Sequence, residues 1–190
     1  MRNELISFLK LFRDIPVGDE ALIAKVFEYR TYKEGEYLFK AGKACRELFF
    51  VCKGILRIKV INESGNEVTH FFVRENKLCS ILNSFNNNVI ANESIQAACD
   101  AEVLAIKRTA LDELYFQLPY LKPLITEIVQ QALLDKIAVR NAYLGQEATT
   151  RYKMFLIRQP EIAYRVPLSD IASYLGITPQ SLSRIRKNIR

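Results

Sequence analysis

The sequence predicts an α+β fold: a short helical lead, an antiparallel β-roll, one long helix, and a closing pair of short helices about a tight turn. Three observations carry this. Short apolar runs separated by Gly turns recur at roughly eight-to-twelve-residue spacing through the first half of the chain, as in a compact antiparallel roll or barrel. Residues 120–144 then hold no glycine and repeat apolar side chains at helical spacing. Finally, Gly176 stands between two amphipathic segments, the second of them studded with cations.

Taken in order, Leu5, Ile6, Phe8, Leu9 and Phe12 give residues 3–29 a helical texture, with Asp19 as cap for a segment over 21–29. Strands are expected at 32–39, with a Gly turn inside it, at 47–52 and at 55–61. The last of these alternates apolar residues with Arg57 and Lys59, as a half-buried strand does. Asn62-Glu-Ser-Gly-Asn-Glu67 is a hairpin turn rich in residues that tolerate positive φ, leading into a strand at 68–73. Further strands are expected near 78–82, 94–99 and 102–107. A helix over 110–117 ends before Pro119, and a helix from 122 to 144 would run about 35 Å. Its apolar residues cover more than one face, so it needs two partner surfaces. One is the roll. The other is the same helix of a second copy, in a C2 dimer, or else the C-terminal helices of its own chain. Another helix is expected over 148–157.

The terminal segment runs Pro167-Leu-Ser-Asp-Ile-Ala-Ser-Tyr-Leu-Gly-Ile-Thr-Pro-Gln-Ser-Leu-Ser-Arg-Ile-Arg-Lys187. Leu168, Ile171, Ala172 and Leu175 line one face of a first helix, and Gly176 supplies a left-handed stop. Thr178 caps a second helix, Pro179 takes its first position, and Leu182, Ile185 and Ile189 form its buried seam. This is the sequence form of a DNA-binding helix-turn-helix. An ordinary helical hairpin with a solvated basic face has the same periodicity, and charge separates the two. Of the net +6, all lies in residues 151–190, which hold eight cations against Glu161 and Asp170. A polyanionic partner explains that segregation better than solubility does.

No apolar run approaches the roughly 20 residues of a membrane span. The N-terminus lacks the apolar stretch and cleavage site of a signal peptide, so a cytoplasmic location is expected. Cys45, Cys52, Cys79 and Cys99 lie far apart with a single His70, which favours buried free thiols over a metal site. No catalytic constellation stands out, so neither an enzyme nor a cofactor is expected.

The order of elements, the terminal motif, Gly35-Glu36, Gly42, the Lys53-Gly54 turn and the hairpin at 63–67 resemble the Crp/Fnr family of bacterial transcription regulators over essentially the whole chain. The resemblance implies a double-stranded β-roll, a jelly roll of the cyclic-nucleotide-binding-domain type, in residues 1–118. It implies a dimerisation helix over 119–146 and a helix-turn-helix DNA-binding domain over 147–190. It further implies an effector in the roll that shifts the angle of the DNA-binding heads, a two-fold symmetric operator, and RNA polymerase as a partner. Two departures stand out. Relatives that bind cyclic nucleotide carry a Gly-Glu pair followed by an Arg about ten residues on. Here the stretches are Leu78-Cys-Ser-Ile-Leu-Asn-Ser-Phe85 and Ala91-Asn-Glu-Ser-Ile-Gln-Ala97, with neither the Glu nor the Arg. A buried phosphate diester needs a charge-assisted partner, so the effector is expected to be an unidentified small molecule other than cyclic AMP. Many relatives also continue into a β-hairpin wing, whereas this sequence stops at Arg190, from which fewer backbone contacts to DNA are expected. The first cysteine, Cys45, comes too late for the N-terminal iron–sulfur cluster of oxygen-sensing relatives, and His70 reads as structural rather than as a haem ligand.

Gln180 and Arg184, four apart on one exposed face, are the candidates for base edges. Thr178, Ser181, Ser183, Arg186 and Lys187 are candidates for phosphate, with close helix packing as an equal role for Ser183. Leu124, Ile128, Gln131 and Ala138 are the residues assigned to the dimer contact. The expected partners are double-stranded DNA and a second copy of the chain, with no membrane. A rival assignment makes the roll a sensor whose terminal helices dock a protein instead of DNA.

Overall fold

The computed structural model describes residues 2–189; Met1 and Arg190, the latter counted above among the terminal cations, lie outside it. Two helices lead, α1 (Arg2–Lys10) and α2 (Val17–Val26). The roll comprises β1 (Glu28–Tyr32), β2 (Tyr37–Phe39), β3 (Glu47–Lys53), β4 (Leu56–Ile61), β5 (Glu67–Val73), β6 (Leu78–Cys79), a short helix α3 (Leu82–Asn87), β7 (Ser94–Ala97) and β8 (Ala101–Lys107). Then follow α4 (Arg108–Gln117), the long α5 (Leu121–Tyr143), α6 (Ala148–Arg158), α7 (Pro160–Ala163), α8 (Leu168–Leu175) and α9 (Pro179–Ile189).

The strands form two four-stranded antiparallel sheets, ordered β1-β8-β3-β6 and β2-β7-β4-β5. Their period-two side chains divide between separate cores. On β3, Phe49 and Val51 point between the sheets, while Leu48 and Phe50 point out beneath the helices. On β8, Val103 and Ala105 face inward and Leu104 and Ile106 outward. Both faces are buried, which is why these runs are continuously apolar in sequence. The outer core is closed by α1, α2, α4 and the first half of α5. A third core holds α6–α9 together with Ile55, Phe72 and Ala98 from the roll and Tyr143 from α5. At the β3–β4 turn Gly54 takes φ +91°, and a β-carbon there would sit 2.3 Å from the Asp100 carbonyl oxygen. Its N–H donates to Glu75 Oε1 at 2.7 Å.

Several expectations are corrected. The helical texture over 3–29 resolves into two helices, and β1 already begins at Glu28. Asp19 caps nothing: α2 starts at Val17 without a side-chain cap, and Asp19 Oδ2 accepts the Tyr120 hydroxyl at 2.7 Å. The segment over 32–39 does hold its Gly turn, with Gly35 at φ +85°, but the turn separates two strands, and the Glu36 carboxylate accepts the Lys33 N–H across it at 2.7 Å. Only Leu78 and Cys79 of the run at 78–82 pair as strand; Leu82 opens α3. The one-turn α7, with Pro160 at its first position, was not expected.

Candidate nucleic-acid interface and its seat on the roll

The C-terminal pair is built by its own punctuation. Ile171, Ala172 and Leu175 of α8 are buried, and Gly176 at φ +66° ends the helix. The Ile177 N–H closes onto the Ala172 carbonyl at 3.0 Å, the bond that marks such left-handed stops. Thr178 Oγ1 then accepts the Ser181 N–H at 3.1 Å, capping α9. Leu182 is buried, with Ile185 and Ile189 packed at the edge of the same core. On the outward side Thr178, Gln180, Ser183, Arg184 and Lys187 are exposed, while Ser181 and Arg186 are half-buried. Among the described residues, none of Arg184, Arg186 and Lys187 is paired with a carboxylate. Ser183 is exposed rather than tucked into a helix contact. The terminal cations do not all share this state, since Arg165 is clamped on Glu75 through two bonds of 2.6 and 3.1 Å.

The opposite side of α8 seats on the roll through a polar network that the sequence did not disclose. Arg57 and Lys59, expected on a solvated strand face, are 7% and 3% exposed. Arg57 donates to Asp170 Oδ1 at 2.5 Å, Glu67 Oε2 at 2.9 Å and Gln96 Oε1 at 2.8 Å. Lys59 pairs with the other Glu67 oxygen. These cations hold the Glu67 carboxyl below its ordinary value, Lys59 first. Burial pushes the Asp170 carboxyl above its ordinary value, and Arg57 pulls it back only in part. Beside this cluster the Ser173 hydroxyl accepts the Thr69 N–H at 2.8 Å and donates to the Glu67 carbonyl at 3.0 Å. Strand β5 is the edge of its sheet. One hydroxyl therefore satisfies both backbone groups that a neighbouring strand would have paired.

Helix α5 changes role along its length. Leu124 and Ile128, assigned from sequence to the dimer contact, are each 3% exposed and belong to the outer core. The N-terminal half of the helix is already used in closing the roll, so neither residue offers surface to a second chain. Val139 and Tyr143 pack against the chain's own C-terminal helices, as one of the two expected partner surfaces had it. The bare apolar surface is Leu133, Leu134 and Ile137, at 44%, 59% and 46% exposure. Ala138 adjoins it, and Gln131 is exposed and bonded to Asp135 at 3.0 Å.

Between the sheets, Phe39, Phe49, Leu56, Ile58, Ile95 and Val103 are all buried. Ala91, after α3, is buried in this core as well. Arg108 donates to the Phe85 and Asn86 carbonyls at the end of α3. Cys45 and Cys79 are buried free thiols, Cys52 and Cys99 half-buried ones. His70 is exposed on β5. No group of three or more His, Cys, Asp and Glu among the described residues is placed to hold a metal ion. None of their helices is long and apolar enough to cross a membrane.

Residues 29–117 match the cyclic nucleotide-binding domain family. The fold is that of a Crp/Fnr-family transcriptional regulator from Eubacterium rectale (17% identity, TM-score 0.73, covering 96% of this chain and 87% of that one). It is equally that of the c-di-GMP-responsive global regulator CLP of Xanthomonas campestris (16% identity, TM-score 0.72, 92% and 91% covered). In sequence, the chain is 25% identical over 177 residues to the transcriptional activator protein Anr of Pseudomonas protegens, covering 87% of this chain and 72% of Anr. The chain is thus similar, in fold and over most of its sequence, to transcription regulators of this kind. In this chain the roll's interior is packed with apolar side chains, and the terminal helices are tied to the roll by buried charge.

Proposed function

We propose that the chain is a sequence-specific DNA-binding regulator that acts as a homodimer, with residues 147–190 as the DNA-binding domain and α9 entering the major groove. The observation that carries this is the division of the C-terminal charge. Asp170 and Arg165 are consumed in seating the unit on the roll, whereas the cations of α9 stand on its outward side with no carboxylate partner among the described residues. Gln180 and Arg184, one helical turn apart, read base edges. The capped first turn at Thr178 and Ser181, with Ser183, Arg186 and Lys187, touches phosphate. The two protomers join along Leu133, Leu134, Ile137 and Ala138 of α5. The effector of the roll is a small molecule other than a cyclic nucleotide, because among the described residues no guanidinium belongs to the core between the sheets, where it could receive the phosphate diester. RNA polymerase is the partner through which bound protein acts on transcription.

The experiment is fluorescence anisotropy on fragments selected from genomic DNA, over a range of salt. Arg184→Ala relaxes base preference at one position of each half-site, at about 1–3 kcal/mol. Lys187→Ala weakens all sequences alike and lowers the log–log salt slope by about 1. Binding that ignores salt, or no binding to any fragment, overturns the assignment in favour of terminal helices that dock a protein.

A further inference from the structure

A cavity of about 240 Å³ opens outside the packed interior of the roll, where β5, the second half of α5 and the α6–α8 corner meet. Its floor is apolar, made by Phe71, Phe72, Val139, Ile162 and Tyr174. Phe72 and Tyr174 pack edge to face with ring centroids 5.1 Å apart. Tyr174 is fixed from behind, where the Gln159 amide donates to its hydroxyl at 3.2 Å and to that of Tyr143 at 3.1 Å.

The charges around this floor do not balance. Four cations and two carboxylates line it. Arg74 is paired with Glu161 at 2.8 Å, which removes one of each. Asp135 accepts a hydrogen bond from Gln131. Lys77, Lys136 and Arg158 remain, and among the described residues none of the three is ion-paired with a carboxylate. Lys77 and Lys136 are half-buried. The Lys136 ammonium has a ring face for company, 5.0 Å from the Phe71 centroid. A partly desolvated ammonium without a carboxylate partner gains a charge-assisted bond when an anion arrives.

We propose that this seam binds a fragment-sized aromatic carboxylate, its ring on the Phe71–Tyr174 floor and its carboxylate at Lys136 and Lys77. Size follows from volume, which falls below the roughly 300–1,000 Å³ of sites for drug-sized ligands. Carboxylate rather than phosphate follows from the donors: the half-buried cations are two point-charge lysines, the Arg74 fork that would grip a phosphate is already on Glu161, and Arg158, though unpaired, is exposed to solvent. Because roll, long helix and C-terminal helices each supply a wall, an occupant fixes their mutual placement. That regulatory consequence rests on the DNA-binding reading, but the binding itself is measured on free protein, so the two fail separately.

The test is isothermal titration of the full chain with 2-naphthoate, its neutral counterpart 2-naphthamide, and phenyl phosphate, repeated on Lys136→Met and Lys77→Met. The acid is expected to bind roughly 10–100-fold more tightly than the amide, the yield of one charge-assisted bond. Lys136→Met lowers acid affinity toward that of the amide and leaves amide affinity unchanged. Lys77→Met lowers acid affinity as well and serves alone if the other variant misfolds. The comparison of acid with amide on the natural chain needs no variant at all. Equal affinity for acid and amide, no heat with either, acid affinity untouched in both variants, or phenyl phosphate binding tighter than naphthoate would each overturn the proposal.

Discussion

Replacing Arg57 by Met tests whether buried charge holds the C-terminal helices to the roll. The guanidinium serves Asp170, Glu67 and Gln96 at 2.5–2.9 Å from a site 7% exposed. Removing one partner of a buried pair strands the other, at about 3–5 kcal/mol. For a chain of this length that corresponds to a melting point lower by roughly 6–20 °C. Asp170→Leu is milder, because Arg57 keeps Glu67; the loss of one charged hydrogen bond costs about 1.5–3 kcal/mol. In the double variant no charge is stranded, since Glu67 still pairs with Lys59. Its stability should therefore lie near that of Asp170→Leu alone, a coupling of at least about 2 kcal/mol. The chain has no tryptophan. Urea unfolding is accordingly followed by far-ultraviolet circular dichroism, with proteolysis at residues 144–147 reporting release of the C-terminal helices. Single-variant losses that add within about 0.5 kcal/mol would refute the reasoning.

Asp170→Asn keeps an acceptor for Arg57 and sheds a buried charge. Burial raises the Asp170 carboxyl, so the folded chain holds that proton more tightly than the unfolded chain, and natural stability declines as pH rises from about 3.8 through the raised value. The Asn variant, melted alongside the natural chain between pH 3.5 and neutrality, should therefore gain on it steadily as pH rises. Thr178→Ala removes the cap of α9 and costs about 1 kcal/mol, with fraying of residues 179–182 in hydrogen exchange. Gly54→Ala drives a β-carbon into the Asp100 carbonyl at an unfavourable φ, and should cost more than the ~1 kcal/mol of an ordinary Gly exchange in a thermal melt. Leu134→Asp puts charge on the bare stripe of α5 and should shift sedimentation toward monomer while leaving the melt of dilute protein unchanged.

Much of the architecture was readable because its signals are local. The positive φ that Gly176 supplies, the Thr178 oxygen placed to cap, and the helical spacing of Ile171, Ala172, Leu175 and Leu182 act within a few residues of one another. What was hidden depends on distant partners. Arg57 and Lys59 alternate with apolar residues as solvent-facing side chains do, and nothing nearby reports that a helix 113 residues later covers them. The clue was Asp170, one of two carboxylates in a strongly cationic quarter of the chain. The misassignment of Leu124 and Ile128 has the same origin, because a wide apolar face shows that two partners exist but not which half of the helix meets which. The early start of β1 and the presence of α3 were lost to short segments whose apolar residues fit either period.

The way Ser173 finishes the sheet has a further consequence. A regulator of this build that lets its terminal helices swing away bares the main chain of β5 at Glu67 and Thr69, a ready template for a strand from another molecule. Reorientation and self-association are thus opposed through a single hydroxyl, and Ser173→Ala should yield a protein that clumps on standing before it melts.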